Sequence, residues 1–182
     1  MAVVPKLLRL PVRRGLIPSL GVAKPNVLWF GCSSSGFQEA RELELMPGEI
    51  IEHRNLGNLL SNQDLSTSST VEYALTAEQV NHIVICGHYG CSFLTPDSKK
   101  SDGVDSWLKD VRKLYESWSD ELEKIEDVSE RQRLFAELYT WSQSRDVLNR
   151  KIVMDAMDNQ GIKVHAFIYD DAKKECLQLT TS

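Results

Sequence analysis

The chain has 182 residues, a 42% apolar share, a 26% charged share and a net charge of -5 at neutral pH. That length suits one domain able to bury roughly 70% of its unfolded surface, so a core can form without disulfide staples. The negative balance argues against nonspecific nucleic-acid binding, and no apolar run approaches the ~20 residues that a membrane-spanning helix needs.

Residues 1–24 read as a basic arm. Lys6, Arg9, Arg13, Arg14 and Lys24 are basic, and the first acid is Glu39. Basic, acid-poor leaders include mitochondrial transit peptides, but Pro5, Pro11 and Pro18 interrupt an amphipathic helix there. The expectation is an extended arm that packs on the body or on a partner subunit, ahead of a single domain over residues 25–182. The compartment expected is the cytoplasm, with a mitochondrial address as the alternative.

Val27 to Gly31 is a short continuous apolar run, the pattern of a parallel strand buried on both faces, and Cys32 follows at its carboxyl end. A helix is expected over Gln38 to Leu45, stopped by Pro47-Gly48. Glu49 to His53 reads as a second strand and Asn55 to Thr70 as loop or broken helix. Ser69-Thr70-Val71-Glu72 has the form of a capping box, which would start a helix through Leu75. His82 to Cys86 is a second buried strand, and Gly87-His88-Tyr89-Gly90-Cys91 lies at its end. Residues 95–103 read as loop. Apolar residues then recur at helical spacing from Val104 to Ile125 and from Leu134 to Ala156, ending near Gly161. The Trp and Tyr residues on these stripes read as core or subunit interface. Lys163 to Tyr169 reads as a closing strand.

Three of the four cysteines lie close in sequence or in topology to one histidine, and metal binding is a better reading than disulfides. Cys32, His88 and Cys91 supply two sulfurs and one nitrogen at the carboxyl ends of two buried strands. In open parallel sheets that edge binds ligands. The donor set suits zinc with an open fourth position. A bound metal lowers the pKa of its water toward about 7, although two thiolates hold it higher than neutral imidazoles would. Cys86 reads as core, Cys176 as a bystander, and His53 and His82 as strand residues outside the site.

The ordered set Phe30-Gly31-Cys32-Ser33, Pro47-Gly48-Glu49, His53-Arg54-Asn55 with Asn58, Val71-Glu72-Tyr73-Ala74 and Cys86-Gly87-His88-Tyr89-Gly90-Cys91 resembles the β-class carbonic anhydrases. The resemblance covers roughly residues 25 to 170. It implies an α/β fold: a mostly parallel central sheet flanked by helices, with an added antiparallel edge. It also implies a homodimer or tetramer and the reversible hydration of carbon dioxide to bicarbonate. Cys32, His88 and Cys91 match the family's zinc ligands, Tyr73 a pocket-lining tyrosine, and Arg54 and Asn55 a structural turn.

The departures are specific. The family pattern after the first ligand is Cys-x-Asp-x-Arg, whereas here Ser34 and Gly36 hold those two places in the pocket. The aspartate accepts a hydrogen bond from zinc-bound hydroxide or caps the metal, and the arginine restrains it. Ala23 stands where many members place a substrate-orienting glutamine. Without the aspartate the fourth position is expected to stay open to water or an anion at all pH values. Ser34 remains as a hydrogen-bond partner for zinc-bound water but cannot act as a base near neutrality, and the loss of positioning costs on the order of 10²-fold in rate. Two alternatives stand beside a slow anhydrase: a zinc-binding pseudoenzyme with a regulatory or pairing role, and a hydrolase of carbonyl sulfide or carbon disulfide.

Overall fold

A computed structural model describes residues 4–61, 64–95 and 101–181. Six strands form one sheet: β1 (Leu7–Pro11), β2 (Val27–Cys32), β3 (Ile50–Asn55), β4 (His82–His88), β5 (Lys163–Asp170) and β6 (Glu175–Thr181), in the order β1-β6-β5-β4-β2-β3. β3, β2, β4 and β5 run parallel, and β6 and β1 add an antiparallel edge. Every position of β2 and β4 is buried, which their continuous apolar runs require.

The chain passes from β2 outward to β3, then returns across β2 to lay down β4 on its other side. The direction of winding therefore reverses between β2 and β4. Such a switch point leaves a crevice beyond the carboxyl ends of the strands, and Cys32 and His88 are the last residues of these two strands.

Six helices flank the sheet: α1 (Glu39–Glu42), α2 (Leu65–Thr76), α3 (Asp102–Trp107), α4 (Lys109–Leu122), α5 (Val128–Leu148) and α6 (Lys151–Gln160). α2 and α6 bury Val71, Leu75 and Val153 against Leu28, Phe30 and Ile85 of the sheet. α4 and α5 close a second core around Leu122, Phe135 and Leu138, and this core includes Cys32 and Cys91. The opposite face carries Val27, Trp29, Val84 and Phe167, covered by Ile17 and Phe37 from the segments either side of β2. α5 lies directly on β4: a Cβ at Gly87 would meet Thr140 Oγ1 at 2.0 Å, so only glycine fits beside His88.

Several expectations shift. The arm of residues 1–24 contributes an edge strand, β1, paired antiparallel with β6 from Leu7↔Thr181 to Pro11↔Leu177. Pro11, with no N–H to give, is tolerated at the end of this edge strand, and the Val12 N–H carries the pairing on to the Cys176 carbonyl at 2.9 Å. α2 starts at Leu65, and the supposed capping box lies inside the helix; Asp64 is the cap, its side chain accepting from the Thr67 N–H at 3.1 Å. The helix expected over Gln38 to Leu45 is a single turn, because Glu44 turns into the left-handed region (φ 55°). The two long helical stripes each break once, at Leu108 and at Asn149-Arg150, where the chain must turn to follow the core. The Glu175–Thr181 strand had no clear apolar alternation to announce it. Part of the expected 95–103 loop, residues 96–100, lies outside the described residues.

At the amino end of β4 and β5, His82 and His165 stack with ring centroids 5.3 Å apart, and Nδ1 of His82 lies 3.1 Å from Nε2 of His165. Burial, then the neighbouring His82 and Lys163, pushes His165 down to about 4; burial also lowers His82. A histidine depressed in the folded state is protonated first in the unfolded chain. Stability from this pair is therefore complete above about pH 6.5 and is lost as pH falls toward 4, by about 3 kcal/mol for His165. Urea titrations across that window are expected to show this slope, and the His82→Gln, His165→Gln double variant should flatten it. An unchanged slope in the double variant would assign the acid sensitivity elsewhere.

Candidate metal centre

Cys32, His88 and Cys91 converge at the switch point, with their donor atoms all within 4.8 Å of one another. The two sulfurs lie 3.7 Å apart. All three residues are buried, at 1%, 8% and 7% exposure respectively. Strand ends fix the first two. Cys91 is brought round by Gly90, whose φ of 72° is a conformation open to glycine at little cost.

Neighbours prepare each donor. His88 Nδ1 lies 3.2 Å from the Tyr89 carbonyl oxygen. A carbonyl only accepts, so Nδ1 carries the proton and Nε2 presents its lone pair to the cluster. The Cys32 thiol is pulled well below its ordinary range, first by the hydrogen bond from Cys91 and then by His88 and Ser34. The Cys91 thiol is correspondingly pushed up by the adjacent Cys32 and by burial. A divalent metal would favour the ionised form of both thiols. Two thiolates and one imidazole at this spacing fit zinc.

Arg54 clamps the loop after Cys32. Its guanidinium donates to the Cys32 carbonyl at 2.9 Å, the Ser35 carbonyl at 3.4 Å and the Phe37 carbonyl at 2.9 Å, and it also pairs with Glu39. Asn55 closes the following turn through two bonds of 2.8 Å with the Leu59 backbone. Asn58 donates to the Cys86 carbonyl at 3.1 Å. Ser34 stands on the solvent side of the cluster, its hydroxyl 3.2 Å from Cys32 Sγ and 3.2 Å from His88 Nε2. Gly36 is exposed, and a Cβ there would meet nothing within 4 Å. Tyr73 sits apart: it is 51% exposed on α2, and its hydroxyl donates to Glu78. Cys86 is core, its Sγ 3.3 Å from the Gly87 carbonyl.

Sequence reasoning missed the network beneath His88. The Tyr89 hydroxyl donates to Glu137, which is 1% exposed and also takes two 2.7 Å bonds from Arg9. Arg133 stacks 3.6 Å above the Tyr89 ring and bonds Asp170 at 2.8 Å. Tyr139 is a further omission. Its buried hydroxyl has no hydrogen-bond partner among the described residues, and burial and the charges of Cys91 and Cys32 push its pKa up. A tyrosine on an apolar helical stripe carries no signal that separates this position from ordinary core.

Fold and centre together define an α/β domain with a buried cluster of two thiols and an imidazole, able to hold a metal, at the carboxyl edge of a parallel sheet. A family model described as carbonic anhydrase matches residues 27–175. Among solved structures, the wild-type β-carbonic anhydrase CafD of Aspergillus fumigatus superposes with a TM-score of 0.82 at 30% identity, covering 95% of this chain and 99% of that one. One of two tetrameric β-carbonic anhydrases from Sordaria macrospora gives 0.80 at 29% identity, covering 86% and 83%. A carbonic anhydrase of Emericella nidulans is 33% identical over 149 residues, 80% of this chain. The chain belongs to the β class of the carbonic anhydrase family. It spans 65% and 54% of the length of the Emericella nidulans and Candida albicans relatives it matches.

Proposed function

We propose that the chain hydrates carbon dioxide reversibly to bicarbonate, with zinc held by Cys32, His88 and Cys91, at a rate below that of members with the Asp-Arg pair. The observation that carries this reading is the buried two-sulfur, one-nitrogen donor set at the switch point of the sheet. When bound, zinc lowers the pKa of a coordinated water toward about 7 and so supplies a nucleophile at neutral pH.

The chain's own groups do the rest. The Nδ1 bond to the Tyr89 carbonyl holds the His88 ring in one tautomer and one orientation. Arg54 fixes the carbonyls on either side of Ser34, so the loop presents that hydroxyl to whatever enters. No carboxylate or imidazole occurs among Ser33, Ser34, Ser35 and Gly36, so this loop has no group to take up a proton at neutral pH. That gap is the reason for a reduced rate.

The same reading includes pairing into a homodimer or tetramer. Leu8 and Leu10 on the edge strand, with Leu20, Val22 and Met46, are exposed apolar side chains.

Stopped-flow hydration on zinc-quantified protein tests the proposal. Turnover above buffer that tracks zinc content is expected, with a gain in Ser34→Asp, Gly36→Arg, since Gly36 has room for a side chain. One zinc per chain with no turnover would assign the centre to binding or to another electrophile.

A further inference from the structure

The Ser34 hydroxyl touches all three donors at once. Its oxygen lies 3.2 Å from Cys32 Sγ, 3.2 Å from His88 Nε2 and 4.0 Å from Cys91 Sγ. With the sulfurs 3.7 Å apart, four of the six edges that join these four atoms can be set against those of a tetrahedral zinc site. Zinc bond lengths of about 2.3 Å to sulfur and about 2.0 to 2.1 Å to nitrogen and oxygen require tetrahedral edges near 3.8 Å between sulfurs. They also require roughly 3.3 Å from nitrogen to oxygen and about 3.6 Å from sulfur to oxygen. The observed sulfur–sulfur and nitrogen–oxygen edges agree within about 0.1 Å, while the two sulfur–oxygen edges, 3.2 and 4.0 Å, bracket the requirement with the hydroxyl about 0.4 Å too close to Cys32 and as much too far from Cys91.

The geometry points to a serine-capped centre: the Ser34 hydroxyl is the fourth donor of the resting metal site, and an incoming anion must displace it. This rests on the zinc reading above. The expectation of a permanently open fourth position assumed that only a carboxylate could close it. A hydroxyl only two bonds from the α-carbon closes it here because the loop turns tightly. The Ser35 N–H bonds the Cys32 carbonyl at 3.1 Å and the Ser34 N–H points at Cys32 Sγ at 3.5 Å, folding Ser34 back over the ligands.

Position and exposure fit a cap. The three donor residues are buried while Ser34 is exposed, so Ser34 stands between the centre and solvent. Arg54 holds the loop on both sides of it, through Cys32 and through Ser35 and Phe37. A neutral hydroxyl is a weaker donor than a carboxylate, so this cap is displaced by anions more readily than an aspartate would be.

Cobalt(II) in place of zinc supplies a spectroscopic test on the full-length protein. Ser34→Cys puts a sulfur at the same corner, and the sulfur-to-cobalt charge-transfer absorption is expected to rise in proportion to a third thiolate. Ser34→Ala removes the cap, and thiocyanate is expected to bind at least about tenfold more tightly than to the parent, the ratio for a centre closed nine times in ten. Stoichiometric cobalt with unchanged charge-transfer absorption in Ser34→Cys and equal thiocyanate affinity in Ser34→Ala would overturn the cap and leave the metal site standing. Failure of the parent to bind cobalt would overturn both.

Discussion

Cys32→Ala is expected to leave a folded chain that has lost its metal and all hydration above background. Cys32 is 1% exposed in a core it shares with Leu59 and Tyr139, and a small buried thiol is replaced by a small methyl, so the packing change is slight. The donor change is large. Apparent zinc affinities of about 10 to 16 kcal/mol, spread over a shell of four donors, make one thiolate worth roughly 10²- to 10³-fold in affinity. Removal also leaves His88 Nε2 facing one sulfur in place of two. Metal quantification after dialysis, circular dichroism and stopped-flow hydration check the three parts of this expectation separately. Turnover that survived the loss of Cys32 would sink the metal assignment.

Glu137→Ala should be strongly destabilising, lowering the unfolding free energy by about 3 kcal/mol. Breaking a buried ion pair costs about 3 to 5 kcal/mol, and the lower end applies because the Arg9 side chain is 49% exposed and can rehydrate. Truncation also strands the Tyr89 hydroxyl, which is buried and whose pKa is raised by burial and by Glu137. At about 2 to 4 °C per kcal/mol for a chain of this size, melting is expected to fall by roughly 6 to 12 °C. The variant should release metal faster, since Tyr89 supplies the carbonyl that orients His88. Arg9→Ala combined with Glu137→Ala is expected to cost less than the sum of the two single changes, because both remove one shared interaction. Strict additivity in denaturant titrations would mean that the arm and α5 are not coupled through this carboxylate.

These two positions differ in how far they were legible. Cys32, His88 and Cys91 stood out because thiols and imidazole are scarce and because the runs before Cys32 and up to Cys86 are apolar without interruption, as doubly buried strands must be. Glu137 did not. A glutamate between Ala136 and Leu138 on a long helix reads as a solvated residue, and only the approach of Arg9 and Tyr89, 128 and 48 positions away, makes its burial tolerable. The β6 strand was hidden for a related reason. Its side chains are mostly half-buried next to the sheet's edge strand, so no sharp alternation of apolar and polar residues was imposed on it.

Helix ends were misread where two cap signals competed. Asp64 and the Ser69-Glu72 pair both have the chemistry of a start, and the choice fell to Asp64 because Thr67 answers it with both its N–H and its hydroxyl. Tyr73 belongs with these. Its sequence context matched a pocket residue, while the fold of one chain leaves it on an outer helix face.

By itself the sequence determined the Cys32, His88 and Cys91 cluster, the parallel sheet that presents it and the family, since donor chemistry and uninterrupted burial are both written in residue type and order. Tertiary structure alone decided that Glu137 is an anchor and that an arm strand completes the sheet. It alone also brought a serine hydroxyl to within 3.2 Å of Cys32 Sγ and of His88 Nε2. Each of these depends on distances between segments remote in sequence, or on a turn geometry that residue type leaves open.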